Sequence, residues 1–267
     1  MSQDTLYILS TPAEPSCPAT SNLIPARLSH RISPAGQLLR LNSPYPSTGS
    51  LLVVSCSEAP PLTASASLCS ALLGECLRCR ARGLFPDFEI PSPFARELIC
   101  RLSPKLARLG ITLFLPEPLA PLSPGCRVLL PCALSGGSLE LRLREVVAQY
   151  SVDRVVLCLQ PTAEDFPLPC PSGKGVPLPP SELASLLARN HPHPHFSASL
   201  CTHYFTYQTG SEIHLVLFDD ETSLRRKKEV AHCCGISRFF LARQDLPAHP
   251  GPFLPSEIFS EIFQKNS

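Results

Sequence analysis

The stretch GLFPDFE, residues 83–89, is an apolar run that ends in two acids, Asp87 and Glu89. Side chains alternate between the two faces of a β-strand, so two acids separated by one residue point to the same side. A helix-like segment precedes this run and another follows it. In a chain that alternates strands and helices, the two carboxylates would lie at the carboxyl edge of a parallel sheet, where barrel active sites are found.

Strand-like and helix-like segments alternate on both sides of this stretch. Strands are predicted at residues 5–9, 26–32, 37–41, 50–55, 83–89, 111–115, 127–131, 153–159 and 236–241, with a hairpin turn at 33–36 between the second and the third. Amphipathic helices are predicted at residues 63–80, 93–109, 138–150 and 221–234, with Thr63 as the first N-cap and a kink or break at Pro104. Roughly eight strands with crossover helices predict an α/β fold, a (β/α)8 TIM-type barrel that is somewhat shortened and forms a single domain over residues 1–267.

The later part of the chain departs from simple alternation. A proline-rich loop is predicted at residues 161–180, followed by a short helix at 181–189. Residues 196–207 and 213–218 are predicted to form an antiparallel pair, and Ser256 is predicted to cap a terminal helix.

Composition limits the function classes. The net charge of +1 and the lack of a basic block argue against a nucleic-acid partner. No apolar run reaches the roughly 18 residues that a membrane-spanning helix needs, and the start of the chain lacks the features of a signal peptide. The thirteen scattered cysteines are an odd number, which favours free thiols in a reducing compartment.

Two stretches resemble glycoside hydrolase family 18. Residues 82–89 resemble the family's strand-four motif, Asp-Gly-x-Asp-x-Asp-x-Glu. The residues from Phe205 to Lys227, with His214, Asp219 and Asp220 between them, are similar to the segment before the last strand in the spore-cortex and peptidoglycan-acting branch. Residues 152–157 are similar to the family's strand six.

This resemblance implies substrate-assisted cleavage of a β-linked N-acetylhexosamine glycan of the peptidoglycan or chitin type. The acetamido oxygen of the substrate would attack the anomeric carbon. Glu89 would protonate the leaving oxygen, and Asp87 would orient and stabilise the acetamido group. The resemblance implies no cofactor and no metal, an amino-sugar glycan as partner, and a cytoplasmic or spore-associated protein.

The sequence also departs from the family pattern. Arg82 and Phe85 replace two motif acids, and Pro86 lies inside the strand. The family's Met-x-Tyr after strand six corresponds to residues 158–160, so Gln160 takes the place of the tyrosine. The chain has no tryptophan to support a sugar ring, which leaves Tyr204, Tyr207 and Phe240 as candidate substrate-binding residues. The alternative function is therefore a catalytically inactive barrel that binds glycan or a protein partner, or that serves only as a structural part.

Four further motifs have simpler interpretations. The pair Cys76-x-x-Cys79 is predicted to be part of the core, since no second pair stands at zinc spacing. Residues 191–195, which alternate histidine and proline, are predicted to form an exposed extended loop. Residues 172–175, Ser-Gly-Lys-Gly, are too short for a phosphate loop, and residues 225–228, Arg-Arg-Lys-Lys, are predicted to be a solvated helix face.

Overall fold

The computed structural model describes residues 4–15, 17, 19–56, 63–88 and 91–245. The strands are β1 Thr5–Ser10, β2 Leu23–Ile32, β3 Leu38–Arg40, β4 Leu51–Cys56, β5 Gly83–Asp87, β6 Thr112–Pro116, β7 Arg127–Pro131, β8 Val155–Cys158, β9 Ala163–Leu168, β10 Val176–Pro177, β11 His195–Ser197, β12 Thr202–Thr209, β13 Glu212–Phe218 and β14 Arg238–Ala242. The α-helices are α1 Ala66–Arg78, α2 Pro93–Arg108, α3 Leu139–Tyr150, α4 Pro180–Asn190 and α5 Glu221–Cys233. The helix predicted from Ser256 lies outside the described residues.

Eight of these strands form a closed parallel barrel. Their order around the barrel is β1, β2, β4, β5, β6, β7, β8 and β14, and β1 pairs with both β2 and β14, which closes the sheet. The short strand β3 adds to β2 as an antiparallel hairpin. The prediction of an α/β barrel of the TIM type is confirmed, and the strand that carries Asp87, β5, is the fourth of the barrel.

One strand assignment is wrong. The segment 152–157, matched to strand six of the family, contains β8, which is the seventh barrel strand, because β7 at Arg127–Pro131 already occupies the sixth position. The resemblance rested on an apolar, β-branched run, and several buried strands of a parallel barrel have that character.

Apolar side chains fill the barrel. The interior cluster consists of Tyr7, Ile24, Ala26, Leu51, Val53, Phe85, Phe114, Leu129, Val156 and Phe240. Two aromatic pairs meet edge to face, Tyr7 with Phe114 at 5.1 Å between ring centroids and Phe85 with Phe240 at 5.8 Å. Gly83 is required at the base of β5, because a Cβ there would lie 2.7 Å from the carbonyl oxygen of Thr112 and from the ring of Phe114.

Two helix predictions need correction. The N-cap of α1 is Ser65 rather than Thr63, and its side chain accepts a hydrogen bond from the amide of Leu68. The helix α2 is continuous through Pro104. Its buried residues continue past the proline to Leu106, so packing offsets the hydrogen bond that proline cannot donate.

Residue contacts divide the chain into two compact units. The first comprises residues 1–130, 153–158 and 237–267, and the second comprises residues 131–152 and 159–236. The second unit contains an antiparallel sheet in the order β10, β9, β13, β12, β11, which the chain inserts between β8 and β14. The helix α4 packs on this sheet through Leu186, which meets Phe205 and Val216.

The prediction of a loop at residues 161–180 is wrong, because β9 and β10 lie there. The strand β9 pairs with β13 along its whole length, from Ala163 opposite Phe218 to Leu168 opposite Ile213. The short strand β10 pairs only with Glu164 and Asp165, so β9 is an edge strand at Pro167. Edge positions tolerate proline, which is why a proline-rich stretch still forms a strand.

Candidate functional site

Asp87 is the last residue of β5, at the carboxyl end of the fourth barrel strand. Phe85 belongs to the barrel interior, and the alternation of the strand places Asp87 on the same face. Unlike Phe85, Asp87 is exposed. The next residue, Phe88, is buried and meets Phe94 of α2 edge to face at 6.2 Å, which anchors the chain as it leaves the barrel. The other predicted catalytic residue, Glu89, lies outside the described residues.

Phe240 lies in the interior of the barrel. It is only 8% exposed, and the edge-to-face contact with Phe85 connects the fourth and eighth strands. A ring so deeply packed contributes to the filling of the barrel. In the predicted sugar-binding role, Phe240 would have to contact a sugar ring and also pack inside the barrel.

The end of the sixth strand has no tyrosine. There β7 ends at Pro131 and is followed by Cys132 and Ala133. The thiol of Cys132 donates to the backbone carbonyl of Gln160 across 3.6 Å, and burial raises the pKa of this thiol. The Gln160 residue itself is exposed and follows the seventh strand. The structure thus brings Cys132 and Gln160 together, although the sequence linked only Gln160 to the site.

Tyr204 and Tyr207 lie on opposite faces of the antiparallel sheet, because they are three positions apart on β12, with two residues between them. The Tyr207 hydroxyl donates to Asp165 Oδ2 at 2.8 Å, and its ring stacks on His214 at 4.7 Å. Burial, helped by the hydrogen bond to Asp165, raises the pKa of Tyr207 to about 12. Tyr207 therefore has internal partners on the face that α4 covers.

On the other face, Tyr204 stands in a row of residues that crosses three strands. It is opposite Leu217 of β13, which is in turn opposite Glu164 of β9. The Tyr204 ring is half-buried and lies 5.5 Å from the ring of His195. Of the two predicted tyrosines, Tyr204 is the one that shares its face with Glu164 and Leu217, which line a cavity.

The described residues that line this cavity all belong to the second unit, and its volume is about 370 Å³. It is lined by Ala133, Leu134, Ser135, Thr162, Glu164, Gly173, Lys174, Gly175, Thr202, Leu217 and Lys227. Two lysines, one carboxylate and three hydroxyl groups make the lining largely polar.

A buried ion pair lies at one side of this cavity. Lys227 Nζ is 2.8 and 2.7 Å from the two carboxylate oxygens of Asp219, and the two side chains are 1% and 0% exposed. Asp219 Oδ1 also accepts from Thr202 Oγ1 at 2.8 Å, and Asp219 Oδ2 accepts from the amide and hydroxyl of Thr162 at 3.2 and 3.1 Å. Every oxygen of the buried carboxylate is thus hydrogen-bonded.

The sequence pattern did not predict the ion pair of Lys227 and Asp219. For Lys227, the prediction of a solvated helix face is wrong. Arg225 and Arg226 are exposed, whereas Lys227 is buried. The signal was the position of Lys227 on α5, three residues after the buried Leu224 and three before the buried Val230. That spacing places the lysine on the apolar face of the helix.

Side chains that could hold a metal ion are scattered through the described residues. No group of three or more metal-ligating side chains occurs among them. Cys76 and Cys79 are buried with free thiols, as the core interpretation predicted, and burial raises the pKa of Cys76 to about 12. Across the described part of the chain, no helix combines the length and the apolar character needed to cross a membrane.

Comparison with known proteins places the fold. The sequence matches no protein-family model and no curated protein. The structure is similar to the spore cortex-lytic enzyme SleL of Bacillus cereus, with a TM-score of 0.63, 15% identity, and coverage of 98% of this chain and 74% of that one. It is also similar to a chitinase of Chromobacterium violaceum, with a TM-score of 0.60, 14% identity, and coverage of 92% and 96%.

A third similar structure comes from a plant. The class V chitinase of Nicotiana tobaccum has a TM-score of 0.56 and 11% identity, with 98% of each chain covered, and a mutant of it has been solved in complex with NAG4. At identities this low the likeness concerns the fold, and the closed barrel agrees with it. In fold, the chain is a glycoside hydrolase family 18-like barrel.

Proposed function

We propose that the chain is a glycosidase-like protein that acts on β-linked N-acetylhexosamine glycans of the peptidoglycan or chitin type. The observation that carries this proposal is the position of Asp87, exposed at the carboxyl end of the fourth barrel strand and on its interior face. Barrels of this kind carry their active sites at that end. Fold neighbours that are chitinases and a cortex-lytic enzyme, one of them solved with NAG4, support a glycan of this class.

The proposed reaction is substrate-assisted. The acetamido oxygen attacks the anomeric carbon, and the bond to the leaving oxygen breaks as Glu89 donates its proton to that oxygen. Asp87 hydrogen-bonds the acetamido N–H and stabilises the positive charge of the cyclic intermediate. Water then attacks the anomeric carbon and gives up a proton to Glu89, which restores both the acid and the acetamido group.

We propose that turnover is weak. In the family motif an acid stands where this chain has Phe85. Phe85 lies two residues before Asp87 on β5, so the two side chains share one face of the strand. Phe85 packs against Phe240, so the interior beneath Asp87 is apolar. Phe85 offers no carboxylate at that position that could share or exchange a proton with Asp87 during the reaction.

The same aromatic pair favours a second candidate function, a catalytically inactive barrel that binds glycan or a protein partner. The absence of a tyrosine among Pro131, Cys132 and Ala133 at the end of the sixth strand favours it as well. Such a protein would retain the exposed mouth residue Asp87 for binding while lacking the groups that hold the acetamido oxygen in line for attack.

A hydrolysis assay separates the two candidates. The substrates are β-linked N-acetylglucosamine oligosaccharides and peptidoglycan fragments, with deacetylated oligosaccharides as the chemical control. An enzyme should release product only from the acetylated substrates, because the acetamido oxygen is the nucleophile. Glu89→Gln should lower kcat roughly 10²-fold or more, and Asp87→Asn should lower it as well. Glu145→Gln, on the exposed face of α3, serves as the matched control.

Two outcomes would change the conclusion. If no product forms at high protein concentration while glycan binding persists in both variants, the inactive barrel is the better description. If the Glu89→Gln variant retains full activity, the assignment of the acid is wrong.

A further inference from the structure

The polar cavity of the second unit has the size of a small ligand site. Its volume of about 370 Å³ lies at the small end of the roughly 300–1,000 Å³ typical of ligand pockets, which suits one ring rather than a chain. The eleven described lining residues all lie in residues 131–152 and 159–236, within this unit.

Lys227 presents a fixed donor to the cavity. An ammonium group has three N–H donors, and the two carboxylate oxygens of Asp219 take two of them. The third donor is not used by Asp219, and Lys227 is one of the residues that line the cavity. Because both side chains are buried, the ammonium is held in place before any ligand arrives, which reduces the entropy lost on binding.

The threonines present acceptors. The hydroxyl of Thr162 donates to Asp219 Oδ2, and that of Thr202 lies 2.8 Å from Asp219 Oδ1 and 2.9 Å from the carbonyl of Phe218. Since each hydroxyl has a single hydrogen, which is directed at these internal acceptors, its lone pairs remain for a ligand.

The loop at residues 173–175 forms the outer wall and brings Lys174 to the cavity. Gly175 packs directly on β9, since a Cβ there would lie 2.8 Å from Glu164 Cβ and from the ring of Phe166. Lys174 and Glu164 then add one mobile donor and one strong acceptor to the lining. Gly175 therefore allows close packing of the loop on the sheet.

The arrangement of charges selects the class of ligand. Among the described residues, the lining carries two lysines and one glutamate, and Asp219 compensates Lys227, so these four charges cancel. An anion would face Glu164 and the threonine lone pairs, and a cation would face two ammonium groups. A neutral molecule with several hydroxyl groups can instead donate to the acceptors and accept from the lysines.

We propose that the second unit binds a small, uncharged, hydroxyl-rich ligand, such as a single sugar ring, in this cavity. Lys227 and Lys174 donate to the ligand, and Glu164 and the threonine hydroxyls accept from it. Tyr204 lies beside Leu217 on the same sheet face and supplies an aromatic flank next to the site. This inference does not rest on the proposed function, because it uses neither Asp87 nor Glu89.

Glycine-selective ¹⁵N labelling tests the proposal on the full chain. The protein has thirteen glycines, of which Gly173 and Gly175 line the cavity, while Gly49, Gly74 and Gly125 belong to the first unit and serve as internal controls. The probes are N-acetylglucosamine and glucose, with sodium phosphate and sodium acetate as anions. We expect saturable shifts of the two cavity glycines with the neutral sugars only.

Two variants sharpen the test without touching the buried ion pair. Lys174→Ala removes an exposed donor and should weaken sugar binding about tenfold, the value of one charge-assisted hydrogen bond. Gly175→Ala should weaken it as well by displacing the loop. Lys105→Ala, an exposed lysine on α2, should leave binding unchanged.

Three results would overturn the proposal. Cavity glycines that do not shift at saturating neutral sugar would show that the cavity binds no such ligand. Equal shifts with phosphate would show an anion site instead. Sugar binding that Glu89→Gln abolishes and Lys174→Ala spares would place the sugar in the barrel mouth, which supports the proposed function and rejects this cavity.

Discussion

The barrel interior is filled by apolar aromatic packing, whereas the cavity of the second unit is bordered by a buried, hydrogen-bonded ion pair. Between the fourth and eighth strands the barrel packs Phe85 against Phe240, and its acid, Asp87, stands only at the exposed end. In the second unit, by contrast, a buried carboxylate and a buried ammonium are held with two threonines as hydrogen-bond partners. Removing one member of such a network leaves the others unsatisfied. Substitutions in the two regions should therefore carry different costs, an open cavity in the barrel and an unpaired buried charge in the second unit.

The largest effect is expected from breaking the ion pair. Lys227→Met should lower the free energy of unfolding by about 3–5 kcal/mol, because it leaves Asp219 buried without a counter-charge. Urea denaturation followed by circular dichroism measures this loss. Lys174→Met, at an exposed position, should stay within about 0.5 kcal/mol of the parent protein.

A double variant identifies the cause of that loss. Asp219→Asn combined with Lys227→Met removes both charges, and it should recover part of the lost stability. A double variant no more stable than Lys227→Met alone would indicate that packing of the lysine stem, rather than the stranded charge, sets the cost.

A smaller loss is expected in the barrel. Phe240→Ala should cost about 3 kcal/mol, because it opens a cavity beside Phe85 that the closed sheet cannot collapse to fill. Phe196→Ala, at a ring that is 39% exposed, should cost much less. The measurement is again the unfolding free energy in urea.

The same position tests the sugar-binding role predicted for Phe240. Phe240→Leu retains most of the apolar volume, so it should cost less than about 1.5 kcal/mol. If the ring also supports a sugar, this variant should lose glycan affinity at nearly unchanged stability. An unchanged affinity would restrict Phe240 to packing.

The sequence predicted the barrel well because its signal is repeated. Apolar strands separated by amphipathic helices occur many times, and an error at one element, such as the N-cap of α1, leaves the overall pattern intact. The position of Asp87 followed from the same pattern, since an acid that ends a parallel strand must lie at the carboxyl edge.

The missed features depend on tertiary context. Proline signals argued against β9, and only its pairing with β13 stabilises it as a strand. Tyr204 and Tyr207 look equivalent in sequence until the exact bounds of β12 assign them to opposite faces. The burial of Lys227 depends on Asp219, which lies eight residues earlier and outside the helix. A local sequence pattern depends on neighbouring residues and carries no information about contacts of this kind.

A pair of glycines in the first unit should respond to the same substitution with opposite sign. Gly83→Ala should destabilise the barrel by about 1–3 kcal/mol, because the new methyl group meets the Thr112 carbonyl and the Phe114 ring at 2.7 Å. Gly74→Ala, in the exposed middle of α1 with no atom within 4 Å, should stabilise the protein by about 0.5–1 kcal/mol. Thermal and urea unfolding of both variants measure the difference. Two losses of equal size would contradict the close approach at Gly83.

The smallest expected effect at neutral pH concerns Tyr207. Replacing it by phenylalanine removes one hydrogen bond to Asp165, which keeps His214 as a partner, so Tyr207→Phe should cost about 1 kcal/mol.

The pKa of Tyr207 is raised to about 12 from its ordinary value of 10.0, which means that the folded state favours the protonated phenol. This contribution is therefore fully present below pH 10 and is lost as the pH rises through about 12, because the unfolded chain releases the proton first. The free energy of unfolding in urea should decrease less steeply with increasing pH, between pH 10 and 12, in Tyr207→Phe than in the parent protein. Parallel curves would mean that the hydroxyl does not hold its proton through Asp165, and the sheet face beneath α4 would then depend on ring packing alone.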